Sequence, residues 1–125
     1  MVKPHDIDRR LWEEAKHEAR DIMIATAQSA QGTITYNELA RRIVSLRLEA
    51  GSLALRELLG EISLAEEMAG REMLGAVVVH QGRDGLPGHG FFTLAKGLGR
   101  DTNDEVRFWT IELGKVRQAW KMSEY

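Results

Sequence analysis

One stretch of this chain, MLGAVVV at Met73–Val79, departs from the pattern of everything before it and of the chain's end. It is apolar throughout and β-branched at its close. It has no three- or four-residue periodicity, so it reads as a buried strand. The segments around it repeat their apolar residues at helical spacing. TIT at 33–35 adds a very short extended stretch, so the chain has at most a short strand pair, which helices must cover, and most economically a winged-helix-like form. That limits a 125-residue chain to a small, mostly helical α+β domain, one unit over residues 1–125.

The spacing predicts a first helix from about Asp8 to Ala30, with Trp12, Ala15, Ala19, Ile22 and Thr26 on its buried face and a stop at Gly32. Thr35 and Glu38 have the capping-box spacing, which starts a second helix with Tyr36, Leu39, Ala40 and Ile43 inward. Ser52 starts a third, with Leu55, Leu58, Leu59 and Ile62 inward. Ser63 and Glu66 repeat the box and predict a further short turn to about Met68, with Glu66 and Glu67 at a solvated helix start. Thr102 and Glu105 form a third box. It opens a last helix whose stripe is Val106, Trp109, Leu113, Val116 and Trp120. Between strand and last helix lies QGRDGLPGHG, a glycine-rich turn in which Pro87 and Gly88 suit the middle of a type II turn. Folding back, it would drop Phe91 and Phe92 into the core. The following FFTLAKGLGR fits either a strand end or a short helix closed by Gly99.

The absence of cysteine excludes disulfides, thiolate zinc sites and cysteine nucleophiles. No apolar stretch approaches the roughly 20 residues that cross a bilayer, and MVKPHDIDRR lacks a signal-peptide core. The expectation is a soluble, cytoplasmic protein with no membrane partner. A net charge of −2 gives no global attraction to nucleic acid, so any such contact must be local.

Two features bear on that contact. GTITYNELARRI at 32–43, followed by ALRELLGEI at 54–62, has the form of a helix-turn-helix pair. These residues resemble the DNA-binding domain of alkyltransferases and alkyltransferase-like proteins. There a Thr-Tyr begins the first helix, an arginine stands early in the second, and a strand follows. The resemblance covers about half the chain and implies winged-helix architecture, with Tyr36 and Arg56 in roles comparable to nucleotide extrusion. The proline-cysteine-histidine-arginine signature of that family is missing and the linker between the helices is longer, so alkyl transfer is not implied. The C-terminal half, through GLPGHGFF, LGR and FW, also resembles a set of small bacterial proteins, from which no activity follows.

His80, Asp84 and His89 are the candidates for acid–base or metal chemistry. Their spacing matches no catalytic or metal signature, and the glycines match no phosphate loop. The loop therefore reads as structural, and the chain as a non-enzymatic protein with no cofactor and no metal. Its expected function is nucleic-acid binding through the helix pair and a glycine-loop wing, with Tyr36, Arg41, Arg42, Arg56 and Arg83 as contacts. A homodimer would suit paired half-sites. The alternative is a protein-interaction module such as an inhibitor, immunity or accessory protein. In it Glu57, Glu61, Glu66 and Glu67 would face a basic protein partner.

Overall fold

The computed structural model describes residues 7–82 and 85–121. Among them the chain runs α1 (Arg9–Gln28), β1 (Ile34–Thr35), α2 (Tyr36–Arg42), α3 (Leu53–Met68), a 3-10 segment (Leu74–Val77), β2 (Val78–Val79), α4 (His89–Gly97) and α5 (Glu105–Ala119). The fold is α+β and mostly helical. Its sheet is one parallel pair, Ile34 beside Val78 and Thr35 beside Val79.

The caps explain where helices begin. The Asp8 carboxylate accepts from the Arg10 and Leu11 amides, the Thr35 hydroxyl from Glu38 N, and the Ser52 hydroxyl from Leu55 N. Two other expected starts are not used. α3 continues unbroken through Ser63, because that hydroxyl faces inward and accepts from the buried Gly75 amide at 2.8 Å. α5 is capped by Asp104, whose carboxylate accepts from Arg107 N at 3.1 Å, in place of Thr102. Aspartate nearer the first apolar turn wins that competition.

The apolar run lies at the centre, with α1, α3 and α5 packed on it and every residue from Met73 to Val79 buried. Only its last two residues are extended. A strand needs partners for its backbone groups, and Ile34–Thr35 is too short to supply more than two residue pairs. The earlier residues find partners elsewhere. Met73 N donates to Glu112, Gly75 N to Ser63, and the Ala76 carbonyl accepts from the Trp109 indole at 2.8 Å. Helix side chains thus replace a sheet, and the backbone winds into a 3-10 turn.

The glycine loop also departs from expectation. Gly88 has φ −70 and caps α4, so it does not occupy the left-handed position of a type II turn. The left-handed residues are Gly82 (φ 72) and Gly85 (φ 64), joined by a 2.9 Å bond from Gly85 N to Gly82 O. FFTLAKG is helical; Phe92 is buried and Phe91 half-buried, edge to face at 5.2 Å. In α5, Val116 is buried and Trp109, Leu113 and Trp120 pack on the core. Val106, placed on the same stripe by sequence, is 56% exposed.

Candidate nucleic-acid interface and its cavity

Tyr36 is the first residue of α2, fixed there by the Thr35 cap. Its hydroxyl accepts from Gly88 N at 2.7 Å, and its ring lies against His80 with centroids 4.8 Å apart. Burial pushes the phenol above its usual range, against the opposing pull of the Gly88 amide and the nearby Arg56 charge. Tyr36 thus ties α2 to the loop that follows β2.

Arg56 stands in the first turn of α3, exposed, and makes no ion pair or side-chain hydrogen bond among the described residues. Tyr36 and Arg56 border one cavity of about 400 Å³ between α3, the end of β2 and the start of α4. Gly51, Gly60, Gly75, Gly88 and Gly90 supply much of its wall, with Leu59 and Phe91 as apolar surface and His80 and His89 beside them. The structure therefore brings together Tyr36, Arg56, His80 and His89, which sequence reasoning had placed in separate arguments. No group of three metal-ligating side chains occurs among the described residues.

Arg41 and Arg42 close α2, their side chains 76% and 55% exposed. Both bond Glu38, Arg42 through Nε at 2.7 Å. The hydrogen bonds from Arg42 and Arg41 hold the Glu38 carboxyl below its ordinary value. Two cations share one anion, so α2 retains positive charge at the end where the helix dipole favours it. The linker, residues 43–52, is held by Glu18, which accepts from Val44 N at 2.8 Å and Ser45 N at 3.3 Å. Arg83 and Asp84 lie outside the described residues.

The acidic residues behave differently from the sequence expectation. Glu66 is 2% exposed; it accepts from Arg20 Nε at 2.9 Å and Arg71 Nε at 2.7 Å, and both guanidiniums pack on the Trp120 ring. Glu67 accepts from Arg100, and Glu61 from Trp12 and Lys16. Because α3 does not restart at Ser63, Glu66 is no solvated helix start but the buried centre of an ion cluster. Of the four carboxylates assigned to a protein partner, only Glu57 has no internal bond among the described residues.

Sequence reasoning missed Glu112. It is 1% exposed on the inner face of α5 and accepts from Met73 N at 3.0 Å and Arg100 Nη1 at 2.9 Å. It also missed the cavity wall, for which Gly60 inside a helix was the available sign.

No protein-family model matches the chain, and no curated protein or solved structure matches it. No helix among the described residues is long and apolar enough to cross a membrane.

Proposed function

We infer that this chain binds double-stranded DNA through α2 and α3, as a winged-helix-like domain whose glycine loop, residues 81–88, takes the part of the wing. The observation that carries the reading is the contrast among its guanidiniums. Arg20, Arg71 and Arg100 are bound to buried or half-buried carboxylates, and Arg117 is bound to the carbonyls of Ala27 and Ser29. Arg47, before α3, and Arg56, on it, have no carboxylate among the described residues, and Arg41 and Arg42 share one. Arg9, Arg10 and Arg107 also have no carboxylate among the described residues, but Arg41, Arg42, Arg47 and Arg56 gather on one helix pair and its linker, and such a group, in a chain with excess negative charge, suits phosphate contact. Tyr36, held by Gly88 and His80, fixes the distance between that pair and the loop.

The acidic-helix alternative has less support, since three of its four carboxylates are engaged internally. The test is fluorescence anisotropy of a labelled mixed-sequence duplex in low salt. The wild type should bind in the micromolar range and lose affinity steeply with salt. Arg41→Glu or Arg56→Glu should abolish binding while leaving the fold intact by circular dichroism. Full binding by both variants would refute the reading.

A further inference from the structure

The cavity beside Arg56 has a composition that DNA binding alone does not require. Gly60 lies in the middle of α3, where glycine costs about 1 kcal/mol relative to alanine. Nothing local demands it. Its φ is not left-handed, and a Cβ added there would meet no atom within 4 Å. What the missing side chain leaves free is the cavity, which Gly60 lines. At Gly88 the opposite holds: a Cβ would come within 3.0 Å of the Tyr36 hydroxyl and 3.3 Å of His80 Nε2, so that glycine serves packing.

The remaining wall defines what fits. Leu59 and the Phe91 ring give the space apolar surface, and Gly60, where an added Cβ would meet nothing within 4 Å, leaves room beside them for a flat ring; Gly75 packs directly on Ser63 and Phe91. At its edge stands a permanent cation, Arg56, whose planar fork matches a carboxylate and which has no anion of its own among the described residues. No described carboxylate lines the space, and His80 and His89 add ring nitrogens beside it. A volume of about 400 Å³ lies within the range, roughly 300–1,000 Å³, of pockets that hold small molecules.

We propose that this cavity is a binding site for a small planar aromatic carboxylate, its ring between α3 and Phe91 and its acid group on Arg56. The inference goes beyond DNA binding and does not depend on it. If both hold, an occupied cavity and a bound duplex draw on the same cation, and the acid weakens the duplex complex.

The experiment is a DNA-free titration of the full chain with 2-naphthoate, followed by calorimetry and ligand fluorescence, with naphthalene-2-carboxamide as the uncharged control. The expected result is saturable one-to-one binding of the acid, with the carboxamide at least tenfold weaker. Arg56→Gln should weaken the acid at least tenfold and leave the carboxamide unchanged. Gly60→Leu should abolish binding of both, whereas Arg41→Gln should change neither. Should Gly60→Leu fail to fold, Gly60→Ala, which also narrows the space, replaces it and should weaken both ligands. Absence of saturable 2-naphthoate binding at millimolar concentration overturns the proposal. So does equal binding by wild type, Arg56→Gln and the Gly60 variant. Because no DNA is present, neither result depends on whether the chain binds a duplex.

Discussion

The two ends of α3 are built on opposite terms. At the C-terminal end, Glu66 and Glu67 meet Arg20, Arg71 and Arg100, and the charge is closed within the chain. At the N-terminal end, about 15 Å away along the axis, Arg56 meets no anion among the described residues. The helix beside it is thinned by Gly60 rather than filled. One end trades charge for rigidity, and the other keeps charge and space available. The lesson is that an arginine's partner, more than its presence, tells a structural cation from one offered to a ligand.

That contrast can be broken by mutation. The largest effect is expected at Glu112, which satisfies both Arg100 and the buried Met73 amide. Glu112→Ala should cost about 2–3 kcal/mol in urea unfolding, because it leaves the buried Met73 amide without an acceptor and Arg100 with Glu67 alone. Arg56→Ala should stay within about 0.5 kcal/mol in the same measurement, as expected for a surface group without partners. Equal losses at the two sites would erase the distinction.

Acid should act on the closed end next. Burial pushes the Glu66 carboxyl up, but hydrogen bonds from Arg71 and Arg20 overcome it and hold the native group below its ordinary value of 4.5. A depressed native value means the stabilisation is complete above the unfolded value and disappears as pH falls through the native one. Stability should therefore drop below about pH 4.5, and Glu66→Gln should flatten that drop. A variant with an unchanged acid profile would show that Glu66 is not a principal source of it.

Smaller effects sharpen the picture at the open end. Tyr36→Phe removes the acceptor for Gly88 N and should cost about 1 kcal/mol, with exchange of the Gly88 amide accelerated. Gly60→Ala should stabilise the chain by up to about 1 kcal/mol through helix propensity alone. Stabilisation on removing a glycine would show that this position is held open at the expense of the fold. A thermal melt decides it.

Much of the framework was legible in the sequence, because caps and apolar stripes are local. Thr35 and Ser52 mark their helices, and Leu55, Leu58, Leu59 and Ile62 are all buried as their spacing predicts. The ion clusters were hidden because a carboxylate on a helix looks solvated until its partner is known. The partners of Glu66 and Glu67 come from α1, from the turn after α3 and from the chain beyond α4. The strand was overread for a related reason: β-branched residues at Val77–Val79 signal burial as much as extension, and only a partner strand distinguishes them. The cavity was out of reach of local pattern, since it draws on α2, α3, the 3-10 segment, His80 and α4 together. Tyr36 and Arg56 pair through the helix-turn-helix resemblance and His80 and His89 through their loop, but the common border of all four is a tertiary fact.

The most direct test of the central claim is to map a short duplex onto the chain by amide chemical-shift perturbation at low salt. The account predicts that shifts gather at Tyr36, Arg41, Arg42, Arg47 and Arg56, and fade as salt is raised. Amides near Glu66, Arg71 and Trp120 should stay unmoved. Shifts centred on that closed end, or none at any residue, would contradict it.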